Sequence, residues 1–358
     1  MKFMLKAGLA GIGVLALAAC STPATPGDTT APTGGTQTTT TETTGTTAEV
    51  TSSDTLTVVT HGSFELPEEL LEKFATDTGL EVTYVQPGDS GTMVNQLILT
   101  KDSPLGDVVY GIDNTYASRA WEAGILSDYE TDALPATSSQ FDADGLTPID
   151  FGDVCLNADT EWFAEKGLAV PTTLDDLVKP EYKDLLVVTD PAASSPGLAF
   201  LFATVGAKGD DWLEYWQQLK DNGVKVAPGW TEAYYTDFSG ADGKGAYPLV
   251  LSYASSPAYA PTTEALLGTC FRQIEYAGVI KGAQNEEGAR KFIDFMLSPE
   301  VQAAFPENMY MYPVIAETKL PEEWAANAPL ATSPIEVSSA DIDANRDAWI
   351  RAWTEAMA

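Results

Sequence analysis

The chain has 358 residues, 44% of them hydrophobic, which is length enough for two domains of ordinary size. Its formal net charge of -33 excludes a nucleic-acid partner, because phosphate binding needs clustered Lys and Arg. A field of that sign favours cationic ligands at the encounter stage without naming one.

Lys2 and Lys6 open the chain as a positive region, and residues 7–19 are apolar or small, the layout of an export signal too short to span a bilayer. Leu17-Ala18-Ala19-Cys20 resembles a bacterial lipobox. That resemblance implies cleavage after residue 19 and a diacylglycerol on the Cys20 thiol, with plain secretion and an incidental cysteine as the alternative; the mature protein would then be tethered rather than spanning. Residues 20–54 are rich in Thr, Pro, Gly and Ser, with no large apolar side chain before Val50. Such a segment cannot bury enough surface to offset its ordering entropy, so a disordered tether with a reach on the order of 30 Å is expected.

From Thr55 strand and helix alternate. Residues 56–59 read as a strand ending at Thr60-His61-Gly62-Ser63-Phe64, and residues 66–78 as a helix with Leu70, Leu71 and Phe74 inward and Gly79 as its stop. Residues 82–85 form a second strand and 92–100 a helix carrying Val94, Leu97 and Ile98. Residues 107–110 are a third strand, leading into Gly111-Ile112-Asp113-Asn114. Residues 185–188 are another, followed through Asp190-Pro191 by a helix over 198–205, with Ser195 placed as N-cap and Pro196 at the first helical position. Residues 211–219 put Trp212, Trp216 and Leu219 on one helical face, most simply as core. The alternation means α/β layers.

The stretch YPLVLSYASSPAY, Tyr247 to Tyr259, begins as a buried-strand run and changes abruptly to Ser252, Tyr253, Ser255, Ser256 and Tyr259. In open α/β sheets ligands bind just beyond the carboxyl ends of strands, so this strand end is a candidate rim; an ordinary strand with a Ser/Pro turn is the alternative. Residues 147–157 and 270–280 are extended and break the rhythm. They read as paired crossovers between two lobes, one built from 55–150 and 276–330, the other from 151–275, with a helical segment over 331–358. With Cys20 assigned to lipid, Cys155 and Cys270 remain, one in each crossover. Outside the cytosol that arrangement favours a disulfide over two buried thiols.

The segments Gly111-Ile112-Asp113-Asn114, Ser194-Ser195-Pro196-Gly197-Leu198, Gly229-Trp230-Thr231-Glu232-Ala233-Tyr234, Leu251-Ser252-Tyr253, Ser256-Pro257-Ala258-Tyr259, Met311-Tyr312-Pro313-Val314 and Asn345-Arg346-Asp347-Ala348-Trp349 occur in an order and spacing that resembles the thiamine-binding receptors of ABC importers. The resemblance runs from about Leu56 to Trp353. It implies the two-lobed type II periplasmic-binding-protein fold, a cleft that closes on the vitamin or its phosphates, and delivery to a membrane permease. No cofactor and no metal are implied, and a monomer is expected.

The implied ligand fits the residues. Thiamine has a permanently cationic thiazolium, a flat aminopyrimidine and a hydroxyethyl or phosphate tail, and a cation over aromatic faces gains about 0.5–2 kcal/mol. Trp230, Tyr234, Tyr253, Tyr259 and Tyr310 supply such faces from three segments, with Ser252 beside them. Asp113 suits the aminopyrimidine edge or the cation; Ser194, Ser195 and the N–H of Gly197, at a helix start, suit the tail. The chain departs from the family pattern in two places: His61 stands where an aromatic residue is expected at the first strand end, and Tyr310 where a Trp would fit.

Two other functions fit some of these residues. Ferric-ion receptors of the same fold use His, a carboxylate and adjacent tyrosines, a set that His61, Tyr234 and Tyr235 resemble, since phenolate oxygens suit a hard cation. A secreted hydrolase using two carboxylates is the other. Against an enzyme, His61 is the sole histidine, and G-x-S-x-G, H-E-x-x-H, P-loop and G-x-G-x-x-G motifs are all missing.

Overall fold

Parallel strands β1 (Thr55–Thr60), β2 (Glu81–Val85) and β3 (Val108–Asp113) lie side by side with β1 in the centre, and helices α1 (Glu68–Thr78) and α2 (Ser90–Leu99) make the crossovers between them. These coordinates come from a computed structural model, which describes residues 54–358 except 142, 144 and 242. The expected signal, Cys20 and nearly all of the tether therefore lie outside the described residues. Helix α1 starts at Glu68, two residues later than the apolar spacing predicts, because Pro67 holds an extended ψ of 136° at the N-cap. It ends at Gly79 in the left-handed region, whose N–H returns to Ala75 O.

After β3 a short helix α3 (Ala117–Glu122) leads to β4 (Thr147–Asp159), the long strand expected as a crossover, and then α4 (Thr160–Lys166). The chain continues through β5 (Leu186–Thr189), α5 (Ser195–Lys208), α6 (Trp212–Asp221), β6 (Lys225–Ala227) and the short α7 (Trp230–Glu232), which runs on into a π-helical turn at Ala233–Asp237. Strands β7 (Leu249–Tyr253), β8 (Thr263–Ala265) and β9 (Phe271–Val279) bring it back. Helices α8 (Glu286–Met296) and α9 (Pro299–Met309), the two-residue β10 (Tyr312–Pro313), α10 (Glu322–Asn327) and α11 (Ser339–Met357) complete it.

The strands join in the order β2-β1-β3-β9-β4-β7-β5-β6, with β8 and β10 paired to β4. The long strands β4 and β9 thus sit at the middle of the sheet, antiparallel to each other from Thr147↔Ala277 to Val154↔Phe271. The next pair along that register is Cys155 and Cys270, which are disulfide-bonded with Cα atoms 4.3 Å apart.

Helix α5 begins one residue earlier than expected. Ser194 rather than Ser195 is the N-cap, and its hydroxyl donates to Thr189 Oγ1 at 2.9 Å instead of capping the helix. Close packing sets this position: a Cβ on Gly197 would lie 2.5 Å from Thr189 O. Trp216 is fully buried, meeting Phe200 and, edge to face at 5.4 Å, Trp353 of α11. The last helix therefore packs on α6, where Lys220 Nζ also reaches Ala356 O at 2.9 Å.

Candidate ligand-binding site

A cavity of about 220 Å³ lies where the turn after β1, the start of α2, α7, the end of β7, β9 and the end of α9 converge. Except for β9, which contributes Glu275 from its middle, these elements begin or end at that point, which is why polar groups and rings collect there.

The turn after β1 is held from below. Gln86 Nε2 donates to the carbonyls of His61 and Phe64, both at 3.2 Å, and Gly62 N donates to Gly88 O at 2.7 Å. His61 is 6% exposed on the cavity wall. It fits only because β3 bulges at Gly111, φ +96°, where a Cβ would lie 2.4 Å from His61 Cδ2. His61 Nε2 is 3.7 Å from Glu275 Oε1. Burial pulls the imidazole down, but Glu275, with Asp89 and Asp113 nearby, outweighs it, and the group sits above its ordinary value.

Glu275 comes from β9, opposite Asp150 of β4. Tyr110 Oη lies 2.6 Å from Asp150 Oδ2 and 2.7 Å from Glu275 Oε2. A phenol donates one proton, so one of these two buried carboxyls must retain its own. Burial, and then the Glu275 charge, push Asp150 well above the carboxylate range. Glu275 is pushed up by burial too, yet His61 and donors from Tyr110 and Gln273 leave it below that range. The proton stays on Asp150, and Glu275 presents a buried anion to the cavity.

The cavity is also lined by aromatic rings. Trp230 stacks on Tyr234 with centroids 5.1 Å apart and planes 14° from parallel, and Tyr253 and Tyr310 each lie 6.3 Å from its ring. Trp230 Nε1 donates to Ser252 Oγ at 2.9 Å, and Ser252 Oγ is 2.8 Å from Ser256 Oγ. Tyr310 ends α9 in the left-handed region, φ +57°, with its carbonyl accepting from Ser255 Oγ at 2.5 Å. Tyr259 packs edge-on behind it at 5.5 Å.

Of the residues expected from sequence, His61, Trp230, Tyr253 and Tyr310 line the cavity together. Tyr234, Ser252 and Tyr259 back its rings and are not among its lining residues. Asp113 is wholly buried at the end of β3, accepting from Thr115 N and Oγ1. Of the α5 start only Pro196 lines the cavity; Ser194 and Ser195 are buried, and Ser195 Oγ has no hydrogen-bond partner. The reading from sequence missed Asp89 and Glu275 as cavity residues, and considered Tyr235, which also lines it, only for iron. Tyr234, with its face on Trp230, does not join His61 and Tyr235 on the wall. Among the described residues no group of three or more His, Cys, Asp or Glu could hold a metal.

An α/β sheet crossed at its middle by two strands, with an aromatic and anionic cavity at the strand ends, defines a receptor for a small solute. The profile of the bacterial extracellular solute-binding proteins matches residues 103–333, and the chain belongs to that family. It is 32% identical over 324 residues to the thiamine-binding periplasmic protein of Escherichia coli (strain K12), covering 87% of this chain and 95% of that one. It is 28% identical to the thiamine-binding periplasmic protein of Brucella suis, covering 85% and 92%. Among solved structures a periplasmic thiamin-binding protein superposes with a TM-score of 0.75 at 29% identity, covering 85% of this chain and 96% of the other. The fold is that of the type II periplasmic binding proteins. Members of the family are solute-binding proteins and not enzymes, and they work outside the cytoplasm.

Proposed function

We propose that this protein captures thiamine outside the cytoplasm and hands it to the permease of an ABC importer. One observation carries the reading: the cavity brings the rings of Trp230, Tyr253 and Tyr310 together with the buried Glu275 carboxylate. A flat ligand with a fixed positive charge satisfies both kinds of group at once, gaining cation–π contact from the rings and a charge partner in the carboxylate. The thiazolium and aminopyrimidine of thiamine have that combination. The names of the relatives support it, and Tyr234, which lies with its face on Trp230 rather than on the cavity wall, disfavours the ferric-ion set.

His61, Trp230, Tyr253 and Tyr310 touch the ligand, and Ser252, Tyr234 and Tyr259 hold the rings that do. Residues 55–150 with 276–330, and residues 151–275, form two lobes that close by rotation about β4 and β9. Cys20 carries lipid, and the protein is a monomer. Titration calorimetry with thiamine tests the core of the proposal, and an absence of binding refutes it. A visible phenolate–iron band on adding ferric salt would turn the reading to iron. Small-angle scattering tests the closure, for which the radius of gyration should fall as ligand saturates the protein.

A further inference from the structure

His61 is the sole histidine of the chain and the only basic side chain among the described residues that line the cavity. Its two ring nitrogens have different surroundings. Nδ1 accepts from Ser63 N at 3.3 Å, which leaves the proton of the neutral ring on Nε2. Nε2 is buried without a hydrogen-bond partner and faces Glu275 Oε1 at 3.7 Å. The other titratable groups about the ring are carboxyls and phenols. Asp89 at the start of α2 and Asp113 at the end of β3 both favour the imidazolium, and Glu65 lines the same cavity. Asp150 keeps its proton and adds no charge. The Tyr110 ring lies 5.7 Å from the imidazole and Tyr253 lines the cavity from β7. Burial holds both phenols well above their ordinary value, so they stay neutral at any pH where His61 titrates.

We propose that a proton on His61 and the cation of the ligand are alternative partners of Glu275, so that capture of thiamine expels a proton from His61 and acid promotes release; the inference rests on the thiamine reading above. The balance is one proton, which leaves Nδ1 for the solvent as the thiazolium takes up the carboxylate. Two cations beside one buried carboxylate repel each other at short range, and the ring is the one that can discharge. By linkage, the proton weakens ligand binding by the same factor as the ligand weakens protonation. A second contact works in the same direction. A proton on Nδ1 sets donor against donor at Ser63 N, and Ser63 Oγ lies 3.0 Å from Thr231 Oγ1. That exposed contact joins the turn after β1 to α7, and both residues line the cavity. Protonation of His61 therefore also loosens the cavity where two halves of the sheet meet.

The test uses the single histidine. In protein prepared without a histidine tag, the imidazole Cε1–H resonance belongs to His61 alone, and its titration can be followed by NMR with and without saturating thiamine. The midpoint should fall by at least one pH unit when the ligand is bound. Calorimetry should then show thiamine bound at least about three-fold more tightly at pH 8.5 than at pH 6, the least that such a fall allows for a group starting at or above the ordinary histidine value. His61→Asn keeps an oxygen where Nδ1 accepts from Ser63 and carries no charge, and a thermal melt checks its folding. Its affinity should change less than two-fold between the two pH values. A parent midpoint that stays put or rises on saturation overturns the inference and leaves the thiamine reading standing. A folded His61→Asn with the parent's pH dependence assigns that dependence to Asp113 or Asp150 and overturns the role of His61. No binding of thiamine to the parent at either pH overturns the thiamine reading itself.

Discussion

Gly111 and His61 occupy one another's space: the bulge at Gly111 carries φ +96°, and the atom a side chain would place there lies 2.4 Å from the imidazole. Gly111→Ala therefore meets two costs, a backbone conformation that L residues rarely adopt and a collision with a buried ring. A loss of roughly 1–3 kcal/mol of stability is expected from the strain and overpacking together. Thiamine affinity should fall as well, because relief comes most easily by pushing His61 into the cavity. Urea unfolding and calorimetry on the same preparation check both; an unaffected variant means the ring has another place to go.

Ser252 acts on the ligand through Trp230. Its hydroxyl accepts the indole N–H at 2.9 Å, fixing the ring that Tyr234 supports from the far side. Trp230→Ala should weaken thiamine binding by about 1–2 kcal/mol, the range of a partly desolvated cation–π contact. Ser252→Ala leaves a buried indole donor without its acceptor, which costs about 1–3 kcal/mol. If Ser252 works through Trp230, its effect on affinity should vanish in a Trp230→Phe background, where that donor is gone. Additive losses in the double variant would separate the two residues.

Asp113 makes stability depend on pH. Burial raises its carboxyl to about 7, only partly opposed by the hydrogen bonds from Thr115. An unfolded chain releases that proton near pH 4, so between about pH 4 and 7 the folded state holds more protons. The stability Asp113 contributes is complete below pH 4 and is lost as pH rises through 7, by at most ~4 kcal/mol. Asp113→Asn keeps an acceptor for Thr115 and has no charge to bury. The variant should equal the parent in acid and exceed it at pH 8, as read from urea midpoints at the two pH values. A parent and variant that differ equally at both would assign the dependence to Asp150 or His61 instead.

The bond between Cys155 and Cys270 closes a sequence separation of 115 residues. In the chain-entropy account such a loop stabilises by roughly 4–5 kcal/mol. Cys155→Ala with Cys270→Ala should lower the unfolding free energy by a few kcal/mol and leave thiamine affinity within about two-fold, because neither residue lines the cavity. Thiol titration of the denatured, unreduced protein should find both cysteines blocked.

Most of the fold was legible because its signals are local. The strand at 56–59 and the stop at Gly79 needed only neighbouring residues, and the two long strands were read from extended runs that break the alternation, although the helix not expected after the first is there as α4. Trp230, Tyr253 and Tyr310 were found because a ring at a strand or helix end has few other uses. Glu275 was not, since an acid inside a strand reads as solvent-facing until β9 is known to lie between β3 and β4. Asp89 carried a readable signal, an Asp before a small residue at a helix start. It was passed over because the helix was expected at 92 and begins at Ser90. The roles expected of Ser194 and Ser195 depend on which way a helix start faces, which no spacing along the chain records.

The placement of α11 against α6 has a bearing on how the protein reaches its site of work. Trp216 has its edge-to-face partner in Trp353, 137 positions further along the chain, and Lys220 holds the carbonyl of Ala356. A chain emerging from its amino end would complete β5, α5 and β6 with that tryptophan still uncovered. It could not finish the half of the sheet that carries Trp230 until residues 339–357 had followed. Maturation of the cleft is thereby tied to passage of nearly the whole polypeptide through the export machinery, so a stalled, truncated product should stay protease-sensitive and unable to retain vitamin.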